Sequence, residues 1–262
     1  MKLSKLFSVL LTSCLLLVSF TSQAASDDSS TPDRQIINSE VIEVDGVPVT
    51  FTLYLENGIY SETVSFDKTQ NSYLRTLNEQ TQDEFFNKIS AISDERAQHV
   101  YNLISMNDSN HKTLRSSWTE EKNNSAQGSG GGYNTNTFAG HWATVTYNPG
   151  LIESRILATN GGSRVTFNHP TIPTDKMKVT ETISWSEPSI SVSIPAGFSL
   201  SSGSNSASLS TTWDGDYGMC TQYRGDFGAK TPLYHTQFFE IKTDGQAITD
   251  NVSSSATVVS RW

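Results

Sequence analysis

The residues best equipped for chemistry in this 262-residue chain are scattered rather than gathered into motifs. Its five histidines, His99, His111, His141, His169 and His235, include no HExxH and no H-x-H. No cysteine stands at zinc-ligand spacing from any of them. A catalytic histidine needs an orienting partner, so as single residues they read as structural. His141, beside Trp142, and His235, after Tyr234, lie in β-type sequence where a pocket can form. Serine is abundant, yet the nucleophile-elbow spacing G-x-S-x-G does not occur. The glycine run Gly128–Gly132 comes after a polar stretch and precedes no helix, so it lacks the context of a phosphate cradle.

Oxygen ligands for a hard cation are suggested at one place only. Asp214-Gly-Asp216, with Asp226 ten residues on, resembles an acidic calcium loop but lacks the closing glutamate of an EF-hand. A turn is the plainer reading of such acidic-glycine pairs. No cofactor motif is present, and calcium at Asp214 and Asp216 is the one ion to consider. Trp142, Trp185, Trp213 and Tyr223 are aromatic side chains that could stack on sugar faces or fill a core. With His141 and His235 they make up the candidate ligand-binding set. Paired carboxylates for glycoside hydrolysis come together only in three dimensions.

The most unusual stretch is 188–213, which carries no Asp, Glu, Lys or Arg and is bounded by Glu187 and Asp214. Ile190, Val192, Ile194, Phe198 and Leu200 alternate with serines, and Leu209 continues the pattern after Ser201–Ser206. An uncharged amphipathic hairpin of this kind suits a membrane-inserting β-barrel, with one face to lipid and one to water. It equally suits a hairpin in a soluble sandwich, and Pro195 removes a ladder donor in mid-strand.

The elements that must position these residues are mostly strands. Ile36–Val44, Val47–Glu56 and Ile59–Phe66 alternate apolar with polar residues and are separated by Asp45-Gly46 and Asn57-Gly58. Those dipeptides tolerate the positive φ of tight hairpin turns, so a three-stranded meander is expected. Thr81-x-x-Glu84 has the form of a capping box. Phe85, Ile89, Ile92, Val100, Leu103 and Ile104 recur near the helical period, with Arg96 on the same stripe. Ser93-Asp94 could start a second helix, and either arrangement would pack against the meander. Residues 119–137 lose apolar periodicity and read as a Gly/Ser/Asn-rich linker. From 138 to 262, alternating segments punctuated by Gly, Pro and Asn predict a β-sandwich of antiparallel strands. The expected organisation is therefore mainly β: a small α+β unit (25–118), the linker, and a β-sandwich (138–262).

The chain begins as an exported one does. Lys2 and Lys5 precede an apolar run from Leu6 to Phe20, and Ser22-Gln23-Ala24 offers small residues for cleavage, giving a signal peptide over 1–24. The run is too short to span a membrane as a helix. Leu11-Thr-Ser-Cys14 resembles a lipobox, but the apolar residues after Cys14 argue against a lipid anchor. Loss of Lys2 and Lys5 would take the formal charge from −9 to −11, which disfavours nucleic acid and anionic lipid as partners. Cys220 would be the one cysteine left, so no intrachain disulfide supports the fold, and a buried inert thiol is expected. These observations point to a secreted, non-enzymatic binding protein with an extracellular ligand. The alternatives are a β-barrel pore-former that meets the membrane through 188–213, and a secreted hydrolase.

Overall fold

A computed structural model describes residues 34–69, 71–107, 118–128, 136–149, 153–186, 189, 191–202, 205–232, 238–250 and 252–262. The expected signal segment 1–24 lies outside them. β1 (Gln35–Val44), β2 (Val47–Glu56) and β3 (Ile59–Ser65) form the expected meander. Asp45 and Gly46 take φ of 50° and 80°, and Asn57 and Gly58 take 52° and 80°, the left-handed geometry that a two-residue hairpin turn requires.

One continuous helix, α1 (Glu79–Asn107), comes next. Its cap is not Thr81. Asn78 Oδ1 accepts from the Thr81 backbone N–H at 3.0 Å and from Thr81 Oγ1 at 2.7 Å. The helix therefore starts three residues earlier than the capping-box pattern implies, because asparagine supplies the side-chain acceptor. Ser93 does not cap a second helix either; its hydroxyl donates to the buried Glu62 at 2.7 Å. Phe85, Phe86 and Ile89 pack on Val49, Phe51, Val64 and Phe66 of the meander side. One level along, Ala97, Val100 and Tyr101 pack on Leu53 and Tyr223.

The expected linker corrects to structure. β4 (Trp118–Gln127) pairs along its whole length with β5 (Thr137–Pro149), from Trp118↔Tyr147 to Gln127↔Phe138. Its composition is poor for a strand, and the continuous ladder offered by β5 overrides that local preference. Residues 129–135 lie outside the described part. No domain break separates the meander from the strands after it, because residues 32–262 cluster as one unit.

The remaining strands are β6 (Glu153–Phe167), β7 (Lys176–Trp185), β8 (Ser191–Ser193), β9 (Ser199–Leu200), β10 (Ser206–Asp214), β11 (Met219–Arg224), β12 (Phe227–Pro232), β13 (Phe239–Thr249) and β14 (Val252–Arg261). Nine strands form one antiparallel sheet in the order β1-β2-β3-β11-β6-β12-β8, with β5 on the other side of β6 and β4 beyond it. Five form the second, in the order β14-β13-β7-β10-β9. β6 changes partner along its length, pairing β12 through Glu153–Ala158 and β11 through Gly161–Thr166. The change falls at Asn160 (φ 48°), where the β5 register also shifts, as a bulge does.

The space between the sheets is apolar at both ends and polar in the middle. Ile183, Trp185, Phe227, Phe239 and Ile241 fill one end. Val165, Phe167, Met177, Val179, Trp213 and Cys220 fill the other. Between them Arg224 Nε donates to Glu181 Oε1 at 2.7 Å, with neither side chain exposed at all. Gln222 Nε2 donates to Ser163 Oγ at 2.9 Å while its Oε1 accepts from Thr211 Oγ1 at 2.7 Å. Cys220 packs its sulfur 3.7 Å from that of Met177, and burial pushes its thiol pKa up.

Breaking a buried pair by removing one partner costs about 3–5 kcal/mol, whereas replacing both partners by apolar residues is often neutral. Urea denaturation should accordingly find Arg224→Met strongly destabilised. The double variant Arg224→Met/Glu181→Leu should recover most of that loss. Equal, additive losses from the two single changes would show that the pair is not coupled.

Candidate functional site

A groove lies between α1 and the face of β5 and β6 turned away from the second sheet, with a cavity volume of about 410 Å³. Sequence explains both walls. On α1, Asp83, Asn87, Ser90 and Asp94 recur at steps of four, three and four, which puts them on one helical face. On β5, strand alternation turns Phe138, Gly140 and Trp142 toward the groove while Ala139, His141 and Ala143 are buried. Arg164 and Thr166 of β6, and Asn168 just beyond its end, continue the floor, and Ser125 adds to it from β4.

Arg164 is the hub of one end. Its Nη2 donates to Asp94 Oδ1 at 2.7 Å and to Ser93 Oγ at 3.3 Å, and its Nε donates to Thr221 Oγ1 at 3.3 Å. The guanidinium lies 5.2 Å from the centre of the Trp142 ring. Trp142 Nε1 donates to the Tyr101 hydroxyl, whose pKa burial raises. Below, Glu62 accepts from Ser93 and, at 2.7 Å, from Arg96 Nε, while Arg96 Nη1 reaches Glu40 at 2.7 Å. The helix is thus bolted to the sheet by charge where its apolar stripe is interrupted by Arg96. At the other end of the groove, Asn168 Oδ1 is enclosed without a hydrogen-bond partner.

Of the residues singled out by sequence, the groove brings together Trp142 and His141. His141 contributes little that a ligand could use, because both ring nitrogens are engaged. Nδ1 lies 3.1 Å from Thr243 Oγ1 and Nε2 lies 2.6 Å from Ser260 Oγ, both on the second sheet. Trp185, Trp213 and Tyr223 are corrected to core positions, at 3%, 0% and 1% exposure. Strand alternation turned Trp185 and Trp213 in between the sheets and Tyr223 under α1. His235 falls outside the described residues.

The calcium reading of Asp214 and Asp216 is corrected too. Asp214 pairs with Lys176 at 3.0 Å, while Asp216 pairs with Lys68 at 2.9 Å and accepts from the Thr174 backbone N–H at 3.0 Å. Lys68 is wholly buried, and desolvation lowers its pKa. Among the described residues no three His, Cys, Asp or Glu side chains stand close enough to hold a metal ion.

The uncharged segment 188–213 is not one hairpin. β8 pairs with β12 in the larger sheet, and β9 and β10 belong to the smaller one. The chain crosses between them through Pro195-Ala196-Gly197, with Gly197 at φ 80°. Val192, Ile194 and Phe198 lie half-buried against the apolar end of the core. Leu209 is buried and Leu200 is 63% exposed, while Ile190 is outside the described residues.

The sequence signal for the groove was the polar helical stripe from Asp83 to Asp94, which by itself is indistinguishable from a solvated face. Arg164 carried no signal, since only the fold brings it to Asp94. Compared with known proteins, the chain matches no family model and no characterised relative.

Burial, and then the charge of Arg224, hold the His141 pKa down at about 4 against an ordinary 6.5. As pH falls through that window the unfolded chain takes up a proton that the folded one refuses. Stability is therefore lost from pH 6.5 down to about 4 and not further below, by roughly 3 kcal/mol for a shift of this size. The urea midpoint measured against pH should slope less in His141→Gln than in the parent. Equal slopes would mean that His141 is not the group refusing the proton.

Proposed function

We propose that this protein is a secreted, non-enzymatic binding protein whose ligand site is the groove between α1 and β5. The observation that carries the reading is the groove itself: a lining of hydrogen-bonding side chains around the Phe138–Trp142 floor, of the size that small-molecule sites have. Export is supported by the Lys2–Ala24 segment.

Binding rather than turnover is supported by the chemistry of the lining. The two groove carboxylates, Asp83 and Asp94, are 11 residues apart on one helix, about 16 Å along its axis. Glycoside hydrolysis needs a pair roughly 5–9.5 Å apart. Asp94 is already paired with Arg164, and both nitrogens of His141 are committed. The hydrolase reading thus has no nucleophile and base in contact among the described lining residues.

A chemical-shift titration of residues 25–262 with a library of small polar fragments tests the site. Perturbations should gather on Asp83–Asp94 and on Phe138–Trp142. Saturable perturbations confined to the second sheet would overturn the assignment.

Pore formation is the second reading, favoured by how lightly 191–200 is held. β8 is paired over three positions and β9 over two. Against it, β10 is paired with β7 over nine positions, all of which would have to break or slide. Dye release from vesicles, neutral and anionic, should be absent for the purified protein. Release that is abolished by tying 191–200 to the body with an engineered disulfide would replace the binding reading with the pore.

A further inference from the structure

We infer that the groove takes a neutral, hydroxylated chain, a short oligosaccharide, an inference that rests on the groove being the ligand site. Four features of the groove lead to this class. First, along β5 and α1 its hydrogen-bonding capacity comes from side chains. β5 is paired on one edge by β4 and on the other by β6, and the backbone of α1 is satisfied within the helix. An extended peptide binds chiefly by backbone ladder bonds to an open edge, and neither edge of β5 is open. A ligand carrying its own ring of hydroxyls has no such need.

Second, the floor has aromatic side chains in the places a sugar ring uses. Phe138 and Trp142 stand on the same face of β5 with Gly140 between them, about 14 Å apart at the rise of a strand. The C–H face of a pyranose covers such a ring at Phe138, while Trp142, already under the Arg164 guanidinium, offers its edge, and the gap over Gly140 leaves room for the chain to pass.

Third, the opposite wall offers acceptors and amides at intervals of one helical turn, from Asp83 through Asn87 and Ser90 to Asp94. Asn168 Oδ1 adds an enclosed acceptor with nothing donating to it. Such an atom lowers the free energy of any ligand that brings a donor, and a hydroxyl both donates and accepts.

Fourth, charge selects among saccharides. Arg164 is the cation of the lining, and it is already bound to Asp94 and stacked on Trp142. Asp83 has no ion-pair partner among the described residues, and the chain as a whole carries −9. An anionic polymer would meet repulsion from Asp83, with no free cation among the described lining residues to offset it.

Titration calorimetry and chemical-shift mapping of residues 25–262 with cellotetraose, maltotetraose and chitotetraose, beside an oligogalacturonate of the same length, test the inference. At least one neutral tetrasaccharide should saturate with shifts on Asp83–Asp94 and Phe138–Trp142, and the oligogalacturonate should bind at least tenfold more weakly. Asp83→Asn and Asn87→Ala change exposed side chains on a helix face and should weaken the neutral sugar tenfold or more without altering thermal stability. Phe138→Ala should do the same, with the folded spectrum as its control. Tighter binding of the oligogalacturonate, or no response to any neutral sugar from a groove that does bind polar fragments, overturns the saccharide class while leaving the site. Sugar-induced shifts confined to residues away from the groove overturn both.

Discussion

Arg224 and Glu181 meet at 2.7 Å with both side chains wholly removed from water, between two largely apolar ends of the core. Taking two charges out of water is expensive, and their attraction repays that only with good geometry and further hydrogen bonds. Around the pair that support is partial: Arg224 Nη1 reaches the Ala158 carbonyl at 3.5 Å, while Arg224 Nη2 and Glu181 Oε2 are enclosed without a hydrogen-bond partner. Gly161 makes the room. A Cβ there would stand 1.8 Å from Arg224 Nη2, so only glycine fits beneath the guanidinium. The bulge at Asn160, the change of partner along β6 and the break between β11 and β12 all fall at this one level. They are the backbone's accommodation of a large charged side chain between two sheets.

The same level fixes which way each strand faces. Side chains alternate with a period of two, so a slip of one residue would turn the whole set over. His141, Ser163, Glu181, Gln222, Thr243 and Ser260 all find polar partners inside only in the observed register. A slip would leave several of them enclosed and unsatisfied, at about 1–3 kcal/mol each. Seating His141 inward obliges Gly140 and Trp142 to face outward, and seating Ser163 inward presents Arg164 to the helix. The floor of the groove is thus the reverse side of the polar core. Its outward charge, Arg164, is what ties Asp94 and Ser93 of α1 to the sheet.

Much of this architecture was legible in the sequence because it is local. The Asp45-Gly46 and Asn57-Gly58 turns, the alternation of β2 and the apolar stripe of α1 each report on their own few residues. What was not legible depends on partners far along the chain. β4 lacks apolar alternation and is a strand only because β5 offers it a complete ladder. Trp185 and Trp213 resemble Trp142 in sequence and differ from it in the face they occupy, while Tyr223 shares the Trp142 face and is covered by Tyr101 of α1. Arg164 and Asp94 are 70 residues apart, and nothing in either neighbourhood announces the other.

The uncharged stretch 188–213 shows how one pattern can arise from two constraints. Part of it runs as β8 on the larger sheet, crosses the mouth of the sandwich at Pro195–Gly197, and returns as β9 and β10 on the smaller. Along that path Val192, Ile194 and Phe198 close the apolar end of the core over Trp185 and Phe227. A charge placed on the same arc would be partly desolvated with no partner in reach, whereas serine and threonine can satisfy themselves locally or with water. On β10 the outward hydroxyls meet those of β7, as Ser210 does Thr180 at 3.0 Å. Absence of charge is therefore what a cover over an apolar end requires, and it is also what entry into a bilayer requires. The two differ in the neighbours the strands keep, and here β10 keeps β7 for its full length.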